Sequence, residues 1–296
     1  MNIIKLNKYN NIILVDSSYY IFNRYFATMR WYKFQKDYIE IEVSKNIDNQ
    51  VFINAFYKHI DNDIKKICKI WKTNIDNIIL CNDCMRSDIW RNDLYDKYKA
   101  TRNQKNNFNK HIFSIFSEYI KKIGLQSINS DRLEGDDIIY LTHKHIKNKI
   151  KTNIIIITND NDFLQLLDNN VLIYNMQFKE LKNRGYENAN INLLFKAIYG
   201  DKSDNIPKIA QGITKEIALS IASFSEEELN DSFSRFKQLA DKKHEIFDED
   251  LQALISETGF ESEDEYVKLI SLKVCSETGE VPNATVTLRV NNKEVI

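Results

Sequence analysis

The chain reads as an α/β protein with a mostly parallel central sheet flanked by helices, and three observations predict this. Apolar runs of four to six residues alternate with longer segments of helical period. The most apolar run, Ile154–Thr158, suits a strand buried on both faces of a parallel sheet. The runs NIILVD, IILCND and IIIITNDND each end in aspartate (Asp16, Asp83, and Asp160 with Asp162), so acids gather at one sheet edge.

In chain order, Ile12–Val15 is the first strand and Tyr19–Met29 a helix rich in aromatic residues. Gln50–Trp71 is a long amphipathic helix with Val51, Ala55, Ile60, Ile64, Ile67 and Trp71 along one stripe. Ile78–Cys81 is a strand, His111–Ile123 a helix, and Asp136–Ile150 a helix led in by LEGDD. After Ile154–Thr158, Phe163–Leu167 begins a helix and Val171–Tyr174 is a further strand. Ile191–Tyr199 and Thr214–Ser223 are helices either side of GDKSDNIP. Polar, acidic helices fill 225–272, and PNATVTLRV either adds a strand or packs as a tail. This divides the chain into an α/β core, 1–190, and a helical region, 191–296.

The 296 residues allow one large or two small domains. No apolar run approaches the roughly 20 residues of a membrane span, and MNIIKLNKYN lacks a signal-peptide core, so an intracellular protein is expected. Cys81 and Cys84 have CxxC spacing, but no second ligand pair follows to complete a zinc site. His143 and His145 read as a solvated helix face. Net charge is −1, which excludes a uniformly basic nucleic-acid binder. Charge is segregated, however: 86–122 is basic and interleaved with Trp90, Tyr95 and Tyr98, whereas 225–280 is acidic. Cations with aromatic platforms suit a phosphate backbone and its bases.

Nine carboxylates carry the chemical argument: Asp16, Asp83, Glu134, Asp136, Asp137, Asp160, Asp162, Asp201 and Asp204. Like charges at such density raise one another's pKa values unless a cation neutralises them. Hard divalent cations with oxygen ligands are the matching partner, and phosphoryl transfer the matching chemistry.

These motifs, in this order, resemble the 5′-nuclease family of flap endonucleases, phage 5′-exonucleases and polymerase I-type 5′→3′ exonuclease domains. VDSSYY resembles the opening strand with its metal aspartate. The segment from Asp83 through Arg91, Tyr98, Lys99 and Arg102 resembles the arch, and LEGDDII, TNDNDFLQLL and GDKSDNIP resemble the three later acidic motifs. The likeness covers about 11–222. It departs at Ser17, where the family has Gly, and at Asn23, where an Arg is usual. It departs again in PKIAQGIT, which keeps only Gly212 of a glycine-rich turn.

The resemblance implies a PIN-like core, a helical arch over 86–122 and a C-terminal helix–three-turn–helix. It implies two Mg²⁺ or Mn²⁺ ions, with Asp83, Glu134, Asp136 and Asp137 serving mainly the first. Asp137, Asp160, Asp162, Asp201 and Asp204 would serve mainly the second, and Asp16 would reach metal through water. Lys99 and Arg102 would be catalytic. Tyr98 would stack on a base, and Arg91, Lys208, Gly212 and Lys215 would meet nucleic acid, with K⁺ at the last turn. The implied substrate is DNA with a 5′ flap or end, RNA–DNA hybrid being left open, in replication or repair. A stand-alone monomer is expected, with replication proteins as partners and, from the Asn, Ile and Lys bias of an AT-rich genome, a viral source. A PIN-type RNA endonuclease and an inactive DNA-binding relative are the alternatives.

Overall fold

A computed structural model describes residues 2–6, 11–36, 38, 40, 43–93, 96–101, 108–186, 189–208, 212–223, 286–290 and 293–294. Its centre is a five-stranded, all-parallel sheet of β2 (Ile12–Asp16), β3 (Ile78–Cys81), β4 (Gln126–Ile128), β5 (Ile154–Ile157) and β6 (Val171–Tyr174), in the order β4-β3-β2-β5-β6. Strand pairing is in register, with Ile13 opposite Ile78 and Ile155, and Val15 opposite Leu80 and Ile157. Because side chains alternate across a strand, this register sorts the apolar runs onto two faces.

One face gathers Ile12, Leu14, Ile79, Ile154, Ile156 and Ile173 under α4 (Gly135–Lys149). The other gathers Ile13, Val15, Ile78, Leu80, Ile155 and Ile157 under α1 (Ser17–Lys33), α2 (Gln50–Ile70) and α3 (Ile112–Lys122). Both faces are therefore covered, as a parallel sheet requires.

Asn49 caps α2 by accepting from Phe52 N at 3.0 Å. The buried apolar residues of α2 are Phe52, Ile53, Ala55, Phe56, Ile60 and Ile67. Of the expected stripe Ala55, Ile60, Ile67 and Trp71 are buried and Ile64 is partly so, whereas Val51 is exposed and Phe52 is buried in its place. Asp63 interrupts that face and is satisfied by the Tyr20 hydroxyl at 3.0 Å and Arg24 at 3.2 Å. Arg24, beside the departure at Asn23, is thus spent on α2. The other expected strands and helices fall within a few residues of their places. Phe163–Leu167 differs: the segment is a 3-10 helix, Asn161–Leu166.

Within 86–122, two short 3-10 turns (Arg86–Asp88 and Trp90–Asp93) precede α3, whose Ile112, Phe116 and Ile120 are in the core. Beyond the sheet, α5 (Ala189–Tyr199) and α6 (Lys215–Ala222) pack through Ile198, Ala218 and Ala222. Gly200 joins α5 to GDKSDNIP at φ +73°, and a Cβ there would lie 2.2 Å from the Pro207 carbonyl oxygen, so only glycine fits. β1 (Asn2–Leu6) pairs in parallel with β7 (Val286–Val290), and β8 (Lys293–Glu294) completes that small sheet. PNATVTLRV therefore does supply a strand. The acidic segment 225–280 lies outside the described residues.

Among the described residues no helix is long and apolar enough to cross a membrane. His143 is buried rather than solvated, with neither ring nitrogen hydrogen-bonded, and burial holds its pKa below the usual histidine value.

Candidate active site

Chain order reverses direction beside β2: β3 and β4 extend the sheet one way, β5 and β6 the other. A cleft at such a switch point, outside the strand carboxyl ends, is where open α/β sheets bind ligands. Here Asp16 ends β2 and caps α1, accepting from Tyr19 N at 3.0 Å and from the Thr158 hydroxyl at 2.9 Å. Burial, with help from Asp83, pushes the Asp16 carboxyl up to about 7. Asp83, after β3, accepts from Ser18 and from Gly135 N at 2.6 Å. Asp160 caps the turn after β5 by accepting from Asp162 N at 2.9 Å.

The other six carboxylates form two groups, Glu134 with Asp136 and Asp137, and Asp162 with Asp201 and Asp204. Within each group, one oxygen per residue lies within 4.8 Å of the others. The first group is the N-terminus of α4, where the helix dipole favours negative charge. Burial and the neighbouring Asp137 hold Asp136 well above the carboxylate range. Glu134 is also pushed up by burial, but Lys99 and Arg91 outweigh this and hold it low.

Arg91 is fully buried and binds Asp137 through two nitrogens at 2.8 and 2.6 Å, and Glu134 at 2.9 Å. Its expected contact with nucleic acid is not available in this arrangement, because every face of the guanidinium is enclosed. Tyr98 is likewise only 4% exposed and donates to Glu134 at 2.8 Å, so its ring is not presented for base stacking. Lys99 pairs with Glu134. Arg102 lies outside the described residues.

The YK segment and GDKSDNIP are stitched together. Lys99 N donates to the Asp204 carbonyl at 2.8 Å, and the Asn205 side chain donates to the Lys97 carbonyl at 2.9 Å. Lys99 and Asn205 both adopt left-handed backbone, φ 54° and 62°. Such strain at a non-glycine residue persists only where surroundings fix it, and it clusters at functional sites.

Lys196 on α5 is the residue that sequence reasoning missed. Its ammonium pairs with Asp162 and, at 2.9 Å, with Asp201. The available signal was a lone cation in LLFKAIY, five residues before Asp201. Asp16, Asp160, Lys196 and Asp201 line a cleft of about 450 Å³ together with Tyr19 and Ser203. Lys208 donates to the Ile213 carbonyl at 2.6 Å and lies over the Tyr199 ring, so it braces its own turn. Gly212 and Lys215 are exposed. Cys84, close to Glu134 and Asp83, is pushed up to about 11 by burial first and these acids second, which makes it a poor thiolate ligand.

The donor set is all oxygen and includes six clustered carboxylates, which fits hard divalent cations. An all-parallel sheet with these acids outside its strand ends defines an α/β nuclease-like centre. A family model, "5'-3' exonuclease, N-terminal resolvase-like domain", matches residues 11–193, and the chain belongs to that family.

The fold is similar to phage T5 5′-exonuclease with bound zinc: TM-score 0.52, 16% identity, 90% of this chain and 86% of that one covered. A T5 protein co-crystallised with metal ions gives TM-score 0.51 at 15% identity, over 89% of this chain and 85% of that one. Fold likeness at this identity says nothing of source, so a viral origin gains no support.

A second family model, "LeuA allosteric (dimerisation) domain", matches 245–296. Correspondingly, the chain is 67% identical over 81 residues to 2-isopropylmalate synthase of Methylococcus capsulatus, covering 27% of this chain. The chain spans about 16% of the length of that relative.

Proposed function

We propose that the chain is a divalent-metal-dependent, structure-specific 5′-nuclease that hydrolyses phosphodiesters of DNA bearing a 5′ flap or end. The observation that carries this is the pair of carboxylate groups, Glu134/Asp136/Asp137 and Asp162/Asp201/Asp204, with the Tyr98 hydroxyl reaching Glu134 at 2.8 Å and Asp204 at 3.4 Å, in a core of this family. Bound Mg²⁺ or Mn²⁺ would supply an activated water and neutralise charge on the scissile phosphate. Glu134, Asp136 and Asp137 would hold one ion and Asp162, Asp201 and Asp204 the other, with Asp16, Asp83 and Asp160 acting through water.

Lys99, strained and aimed at the first group, would transfer its ammonium from Glu134 to a phosphate oxygen as negative charge develops there. Lys196 would yield its carboxylates in the same way, because a divalent ion competes directly for Asp162 and Asp201. Arg102 and Lys215 would contact the phosphate backbone, so binding should weaken steeply with salt.

The test is incubation with labelled 5′-flap, nicked duplex, RNA–DNA hybrid, single-stranded DNA and plain RNA, with Mg²⁺ or with chelator. Cutting at the flap junction in Mg²⁺ alone is expected. Equal cutting in chelator, or preference for plain RNA, would overturn the reading.

A second reading concerns assembly. The match of 245–296 to a dimerisation domain favours self-association over the monomer expected from the nuclease motifs. Sedimentation of the full chain decides it: a dimer that reverts to monomer when 245–296 is deleted is expected, and a monomeric full chain would contradict it. No synthase chemistry is proposed for a segment matching so small a part of those enzymes.

A further inference from the structure

The Asp137 carboxylate accepts four hydrogen bonds. Its Oδ2 accepts from Arg91 at 2.8 Å, from the Trp90 indole N–H at 3.1 Å and from Glu134 N at 3.0 Å. Its Oδ1 accepts from the second Arg91 nitrogen at 2.6 Å. An ionised carboxylate offers about two lone-pair sites on each oxygen. Three donors therefore saturate Oδ2, and one site remains on Oδ1.

The donors are themselves fixed. Trp90 and Arg91 are 5% and 0% exposed, and the Arg91 guanidinium lies 5.0 Å from the Trp90 ring centre and 5.9 Å from that of Tyr98. Trp90 N donates to the Arg132 carbonyl at 3.1 Å, which ties this turn to the chain entering α4. A guanidinium held between two rings and forked onto one carboxylate has little freedom to release it.

We propose that Trp90 and Arg91 are positioning residues that commit Oδ2 of Asp137 to the protein and leave Oδ1 as its single ligand oxygen for a divalent cation. Asp137 then serves the ion through one oxygen in a fixed direction. The inference rests on the metal-site reading above. It converts the basic, aromatic WR pair from a nucleic-acid contact into an outer support of the metal centre, the kind of support whose loss commonly costs 10- to 100-fold in affinity.

The test is calorimetric titration of the full chain with Mn²⁺, without DNA. Trp90→Phe keeps an aromatic ring beside Arg91 but removes the N–H and part of the ring volume, and is expected to weaken Mn²⁺ binding about tenfold. Arg91→Lys keeps the charge but loses the fork, and is expected to weaken it further. Melting temperature in chelator, read in parallel, separates lost folding from lost affinity. Wild-type Mn²⁺ affinity in a folded Trp90→Phe protein overturns the proposal, as does wild-type affinity in Arg91→Lys should the first variant not fold. If the unaltered chain binds no Mn²⁺, the metal-site reading itself falls, and the clamp with it.

Discussion

The two carboxylate groups are similar in composition and opposite in construction. Glu134, Asp136 and Asp137 lie within four consecutive residues at one helix start, and Glu134 and Asp137 are wired by donors from Trp90, Arg91, Tyr98 and Lys99. Asp162, Asp201 and Asp204 come from the turn after β5 and from the loop after α5; Lys196 pairs with Asp162 and Asp201, and the Tyr98 hydroxyl reaches Asp204 at 3.4 Å. One group is prearranged by the fold; the other depends on α5 keeping its place against the turn after β5. On the proposed reading the centre joins a rigid half, in the sense of one held by many donors, to an adjustable half, held through Lys196 and α5.

The comparison can be broken at four points, in descending order of effect. Lys99→Ala, on the rigid side, should slow flap cleavage by about 10²–10³-fold while flap affinity changes little. A loss confined to binding would show that Lys99 holds substrate and takes no part in the chemistry. Arg91→Met leaves Asp137 buried without its partner and should destabilise the metal-free protein by about 3–5 kcal/mol in urea unfolding. A much smaller loss would mean that water reaches the clamp.

Gly200→Ala forces a Cβ against Pro207 and should cost about 1–3 kcal/mol, with cleavage falling because Asp201 and Asp204 move with the loop. Lys196→Met tests the adjustable side. Asp162 and Asp201 lose their ammonium, so Mg²⁺ should raise the melting temperature of the variant more than that of the wild type. An equal rise would place the ion elsewhere.

A pH effect sharpens the same contrast. Folding raises the Asp16 carboxyl from 3.8 to about 7, so the folded state binds the proton more tightly. Its contribution favours folding at low pH and is lost as pH rises from about 4 to 7. In chelator, melting temperature should fall from pH 5 to pH 7, and Asp16→Asn should flatten that slope.

Much of this centre was legible in the residues. Acids following apolar runs mark strand ends in any parallel sheet, so Asp16, Asp83 and Asp160 came with the strands. LEGDD was legible because a helix start attracts acids. The edge strand Gln126–Ile128 escaped because QSI carries a single large apolar residue.

Only the first residue of the α2 stripe was misplaced, because Val51 and Phe52 are both apolar and only packing chooses between them. Lys196 escaped because a single lysine in a helix has no local signature of a partner. Arg91 and Tyr98 were assigned to nucleic acid because their burial depends on contacts with Glu134 and Asp137, more than 30 residues away. The acidic 225–280 segment carried no motif that physical reasoning could read, and the likeness to another family covers 245–296.

The central claim is that both groups act as one metal-dependent centre. It is tested most directly by flap cleavage in Mg²⁺ with Asp162→Ala, a change on the adjustable side, distant in sequence from the α4 start. The account predicts a loss of at least about 10²-fold in rate for a protein that still folds and binds flap DNA. Cleavage by Asp162→Ala at the wild-type rate would contradict it.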